Sequence, residues 1–269
     1  MSGIRSVTLG TSDLSKTKEL FENILGLNSS EKGDNALRFG DADLNPGTRI
    51  HFVEVPNNDY QNSHIDSVGL RTPSDSGLDE YQDILNQHQI SFSSITELNG
   101  NMHFNFEDHN QQLFDIYSNE HNTGVPLGMP SFESTVNPLH QIQGLGPVIL
   151  KVNELSITAS ILNKVFGLHI FAEYLPSEEA TQAIQVFKIG EGGLGGELHL
   201  YEAESDITNQ DNEMIEQVEF STNSKSDFEN AKQTLEDIGI PYQTLQQDDS
   251  ESLRITENSG ISFIYTLDK

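Results

Sequence analysis

No cysteine occurs among the 269 residues, which excludes disulfides, thiolate metal sites and a cysteine nucleophile. Basic residues are scarce: 14 Lys plus Arg stand against 42 Asp plus Glu, for a net charge of −28. Nucleic acids and anionic membrane surfaces both require clustered cations, so neither is an expected partner. Long apolar runs are also missing. No stretch can span a bilayer, and the opening MSGIRSV has no apolar signal core, which makes the cytoplasm the default compartment. What remains is an acidic chain with 35% hydrophobic residues, long enough for one or two domains with an ordinary core.

What the chain does contain is a repeat. VTLGTSDLSKTKELFENILGL, from Val7, returns 141 residues later as VILKVNELSITASILNKVFGL, from Val148. Each copy predicts a strand with period-two alternation and then a helix with apolar residues three and four apart. Asp13 or Ser15 caps the first helix and Gly26 stops it.

Four modules follow one another. The first covers residues 3–56 and has a turn at Asn45–Pro46–Gly47; the second covers 63–118, with a helix marked by Leu78, Tyr81 and Leu85 and a hairpin turning at Glu107–Gln111. Residues 119–143 lack periodicity and read as a linker between a first half, 1–118, and a second half, 144–269. Modules at 145–204 and 215–267 repeat the first two, and the last helix ends at Gly239 with Pro241 beyond it. The expected fold class is α+β, with four βαβββ modules paired into two curved-sheet units. Such sheets enclose a groove, the natural place for a small-molecule ligand. Which modules pair is left open, as is a homodimer.

The strand-helix opening, the phrase GDADLNPGT leading into FVEVP, the phrase VGLRTPS and the hairpin FEDHNQQLFDI resemble the vicinal-oxygen-chelate superfamily of glyoxalases, bleomycin resistance proteins and extradiol dioxygenases. Within it the chain is most similar to ring-cleaving dioxygenases acting on hydroquinone-type substrates. The resemblance implies an Fe(II) or Mn(II) ion held by two histidines, one opening each of two modules, and by a glutamate in a closing strand. Two imidazoles and a carboxylate leave coordination sites open for substrate and dioxygen.

Carried onto this chain, the opening positions hold Ser6, Ser67, Pro147 and Gln217, and the closing positions compared hold Asp115 and Ile264. None is a histidine. The expectation is therefore a degenerate metal site, no cofactor, and a pocket for a small aromatic, quinone-like or hydrophobic molecule. The alternative is an active Fe(II)- or Mn(II)-dependent ring-cleaving dioxygenase with other ligands.

His51 and His199 occupy equivalent strand positions. Glu54 and Glu202 follow three residues on and so face the other way, which leaves the two histidines, with Asp115, as weak metal candidates. His64, His103, His109 and His121 read as solvated. Asp115 has Ser67 or Ser6 as a prospective partner, and Arg71 either anchors a ligand oxygen in the groove or forms a salt bridge. Gln217 and Glu219 share a face, where Glu219 could serve as a base. The glycine run from Gly190 precedes a strand rather than a helix, unlike a phosphate-binding loop.

Overall fold

The computed structural model describes residues 3–55, 63–177, 179–207, 215–247 and 250–268. The module boundary expected at Pro56 lies outside the described residues. The first module comprises β1 (Ile4–Thr11), α1 (Leu14–Lys18), a π-helical continuation (Glu19–Ile24), β2 (Asn28–Glu31), β3 (Ala36–Gly40) and β4 (Arg49–Glu54). The second comprises β5 (Ile65–Thr72), α2 (Asp75–Gln87), β6 (Thr96–Leu98), β7 (Asn101–Glu107) and β8 (Leu113–Ser118). No helix or strand falls within 119–143. The third has β9 (Gly144–Val152), α3 (Leu155–Phe166), β10 (His169–Tyr174), β11 (Ile184–Lys188) and β12 (Glu197–Glu202). The fourth has β13 (Gln217–Thr222), α4 (Lys225–Ile238), β14 (Gln243–Gln247), β15 (Ser250–Thr256) and β16 (Ser262–Leu267).

Local chemistry sets the helix ends. Asp13 accepts hydrogen bonds from the backbone amides of Ser15 and Lys16 at 2.9 and 3.1 Å, satisfying two donors that the first turn leaves open. Gly167 and Gly239 cap α3 and α4 in the left-handed region, with φ of 68° and 73°, which a residue bearing a Cβ enters only at a cost. The first helix departs from the α form: Leu25 N donates to Leu20 O, five residues back, at 2.9 Å.

Two curled eight-stranded sheets result, ordered β14-β15-β16-β13-β1-β4-β3-β2 and β10-β11-β12-β9-β5-β8-β7-β6. The seam of the first sheet is an antiparallel pairing of β1 with β13, and that of the second is an antiparallel pairing of β5 with β9. Module one therefore shares a sheet with module four, and module two with module three. The sheets cross the two halves of the chain, whereas the aromatic cores follow the halves. Phe21 of the first module lies 5.1 Å from Phe114 of the second, and Phe166 of the third lies 5.2 Å from Phe220 of the fourth.

Alternate residues of the central strands face these cores and the concave side of a sheet, here called a cup. On β4, Ile50 and Phe52 are fully buried in the core, while Arg49, His51 and Val53 line the cavity of the first sheet. Among the described residues, no helix is long and apolar enough to cross a membrane.

Candidate functional site

Strand register identifies the equivalent positions. The opening and closing strands of each module are parallel neighbours, and the paired residues are Thr8 with His51, Gly69 with Asp115, Ile149 with His199, and Glu219 with Ile264. Stepping back two residues on each opening strand gives Ser6, Ser67, Pro147 and Gln217. One cup thus gathers Ser6, His51, Gln217 and Ile264, and the other gathers Ser67, Asp115, Pro147 and His199. His51 and His199 thus hold the same closing position as Asp115 and Ile264, an equivalence absent from the expectations above. The signal lay in aligning the phrases RIHFVE, LFDIYS, ELHLYE and SFIYTL on their strand period.

The second cup is densely bonded. Ser67 Oγ donates to one carboxylate oxygen of Asp115, and His103 Nδ1 lies 3.1 Å from the other. The His103 ring stacks on Tyr117 at 4.9 Å. Both nitrogens of His199 are engaged: Nδ1 is 3.0 Å from the Tyr174 hydroxyl and Nε2 is 3.1 Å from Glu197 Oε2. A neutral imidazole meets both by accepting from the tyrosine and donating to the carboxylate. Burial, followed by the nearby charge of Asp115 and Glu197, pushes the Tyr174 phenol up to about 12 and raises that of Tyr117 as well.

The first cup holds a partly open cavity of about 360 Å3. Glu219 is fully engaged in its wall. It accepts from Ser6 Oγ at 2.5 Å and Thr266 Oγ1 at 2.6 Å, and pairs with Arg5 at 3.1 Å, so it is not the unencumbered base its strand face allowed. His51 is 8% exposed and its Nε2 has no hydrogen-bond partner. Burial, then the charges of Lys32, Arg38 and Arg49, holds its pKa down to about 3. A larger open cleft of about 770 Å3, between the first helix and the β7–β8 hairpin, contains none of the equivalent positions.

Several expectations need correction. Arg71 makes no salt bridge among the described residues: its guanidinium is wholly buried and donates to the carbonyls of Leu145, Val125 and Pro126 and to Asn119 Oδ1, which ties the linker to the seam of the second sheet instead of facing a ligand. His64 is 2% exposed rather than solvated, and His103 is held by Asp115. Asp115 does take Ser67 as its partner, and Glu54 and Glu202 are exposed on the faces away from His51 and His199.

As a test of fit for the Fe(II) or Mn(II) of the resemblance, the second cup offers Asp115 with each carboxylate oxygen already hydrogen-bonded, His199 with both ring nitrogens engaged, a serine that donates to the aspartate, and a proline with no donor atom. The first cup offers one free imidazole nitrogen beside three cations and an isoleucine. Neither set fits a two-histidine, one-carboxylate centre. Among the described residues, no three His, Asp or Glu side chains are grouped to hold a metal ion.

Two curled sheets, each joining two βαβββ modules around four equivalent positions, define a glyoxalase-like protein. The chain belongs to the Glyoxalase/Bleomycin resistance protein/Dioxygenase superfamily, whose description matches residues 3–116. It is 30% identical over 213 residues to the "Putative ring-cleaving dioxygenase MhqA" of Bacillus subtilis (strain 168). That match covers 75% of this chain and 66% of the relative, leaving about a third of the relative's length unmatched. Among solved structures, a "putative dioxygenase" from Bacillus subtilis subsp. subtilis str. 168 superimposes with a TM-score of 0.73 at 16% identity, over 99% of this chain and 85% of that one. Glyoxalase I from Zea mays gives 0.66 at 12% identity, over 98% and 92%. At these identities the two structures speak to the fold alone.

Proposed function

We propose that this chain is a small-molecule-binding member of the superfamily in which the inherited metal-ligand positions serve internal hydrogen bonding, and that the cup of the first sheet is the binding chamber. The observation that carries the reading is the contrast between the cups. In the second, Asp115 and His199 have no unengaged donor atom. In the first, a 360 Å3 space lies between the walls. Ala36, Val53, Leu245 and Ile264 supply its apolar lining, which suits the small aromatic, quinone-like or hydrophobic guest implied by the resemblance. On this reading the protein needs no metal cofactor, its place is the cytoplasm, and neither nucleic acid nor membrane is its partner.

A second reading, an active Fe(II)- or Mn(II)-dependent ring-cleaving dioxygenase, draws on one observation: Asp115 and His199 occupy closing positions of the two modules that form the second cup. Purification without chelators, metal analysis, and oxygen uptake with hydroquinone or catechol after adding Fe(II) or Mn(II) separate the two. The expected result is iron, manganese, zinc and nickel far below one per chain and no uptake. Near-stoichiometric metal that is lost in Asp115→Ala, together with uptake, would establish the second reading.

A further inference from the structure

The arginines of this chain are concentrated on one surface. Four of the five arginines in the sequence, Arg5, Arg38, Arg49 and Arg254, line the cavity of the first sheet together with Lys32. Among the described residues, Glu219 is the only carboxylate lining it, although the chain carries 42 acidic residues. Glu219 is already committed to Arg5, whose guanidinium also reaches Asp268. Arg49 Nε donates to the Leu44 carbonyl, which carries no full charge. Arg38 Nε is buried and has no hydrogen-bond partner.

Assembling these cations is costly, and the neighbours record it. Burial, then the charges of Arg38 and Arg5, lowers the Arg49 pKa; burial, then Arg38, lowers that of Lys32. In the same wall the buried His51 Nε2 is unpartnered. A desolvated cluster of like charges with unsatisfied polar atoms is strongly stabilised by an anion placed among them, because each hydrogen bond to it is charge-assisted. The apolar part of the same cavity, Val53 on β4 and Ile264 on β16, offers a surface for a flat hydrocarbon body.

Resting on the first cup as the binding chamber, we infer that the ligand enters it as an anion: a small single-ring carboxylic acid whose oxyanion is held by Arg38, Arg49 and His51 while its ring lies on Val53 and Ile264. A neutral phenol of the same size leaves the guanidinium groups unanswered. Inorganic phosphate answers them but leaves the apolar wall empty.

Calorimetric titration of the full chain at low salt with benzoate, phenol and inorganic phosphate, combined with amide chemical-shift mapping, tests this. Benzoate is expected to bind with shifts at β3, β4 and β16, to weaken as salt is raised, and to lose roughly tenfold in affinity in Arg38→Gln. If Arg38→Gln fails to fold, Lys32→Gln is expected to weaken benzoate several-fold. Phenol binding in the cup as tightly as benzoate, with no effect of either substitution, would overturn the anion inference and leave the chamber standing. Phosphate matching benzoate would overturn the aromatic carboxylate in favour of an inorganic oxyanion. Shifts confined to another part of the chain, or no binding of any of the three, would overturn both the inference and the chamber itself.

Discussion

Arg71→Met is expected to lower the unfolding free energy by about 3 kcal/mol, a large fraction of the stability of an ordinary domain. The guanidinium is 0% exposed and makes four hydrogen bonds, to Leu145 O at 2.6 Å, Val125 O at 2.8 Å, Asn119 Oδ1 at 2.9 Å and Pro126 O at 3.1 Å. Without it, buried acceptors on β9 and the linker lose their donors, at roughly 1–3 kcal/mol each. Relief from burying a charge, which already brings the Arg71 pKa down to about 10, offsets part of that. The surrounding chain has adapted to the group. A Cβ at Gly144 or Gly195 would come within 2.7 or 2.6 Å of Arg71 Nη2, so these glycines leave room for the guanidinium. Arg71→Lys is expected to fail in the same direction, because a single ammonium cannot reach carbonyls arranged around a planar fork. Urea unfolding measures both. A loss under about 1 kcal/mol would show that the linker is held by something else.

His51→Gln is expected to remove a large share of the chain's acid sensitivity. In the folded state the His51 pKa is held near about 3, first by burial and then by Lys32, Arg38 and Arg49, whereas the unfolded chain takes its proton near the ordinary 6.5. The unfolded state therefore protonates first. The contribution of His51 to stability is complete above about pH 6.5 and is lost as the pH falls toward 3. By about pH 5 the wild type should have lost about 2 kcal/mol on this account, and His51→Gln should keep it. Carboxylates titrate in the same range in both proteins, so the readout is the difference between the two unfolding curves. Curves that stay parallel from pH 7 to 5 would mean that His51 is reached by water and protonates normally.

How far these sites could be read from the residues follows from the range of the interactions involved. Asp13, Gly167 and Gly239 act within a turn of their helices, and Leu78, Tyr81 and Leu85 repeat at helical spacing, so the caps and the buried face of α2 are written locally. The repeat likewise shows four modules. Their pairing is not local: β1 meets β13 across more than 200 residues, with Ser6 opposite Glu219, and nothing in either phrase names the other.

Cup residues pose a second difficulty. A polar face on a period-two strand looks the same whether it meets bulk water or the inside of a curled sheet. His103 therefore read as solvated, while it is bonded to Asp115 and stacked on Tyr117. Glu197, two residues before His199 on the same face, went unnoticed for the same reason. Arg71 matched a recognisable phrase, but three of its partners are backbone carbonyls, and a carbonyl has no sequence signature. The arginine cluster of the first cup is legible only after folding, because its members come from four strands and two modules.

Where a guest goes and what holds it distinguish the two cups. A crystal grown with Mn(II) and benzoate, with data collected at the manganese absorption edge, answers both at once. The expected map has the ring against Ile264 and Val53 and the carboxylate facing Arg38 and Arg49, with no anomalous peak in either cup. An anomalous peak between Asp115 and His199, with the organic molecule beside it, would contradict the account and make the second cup the working site.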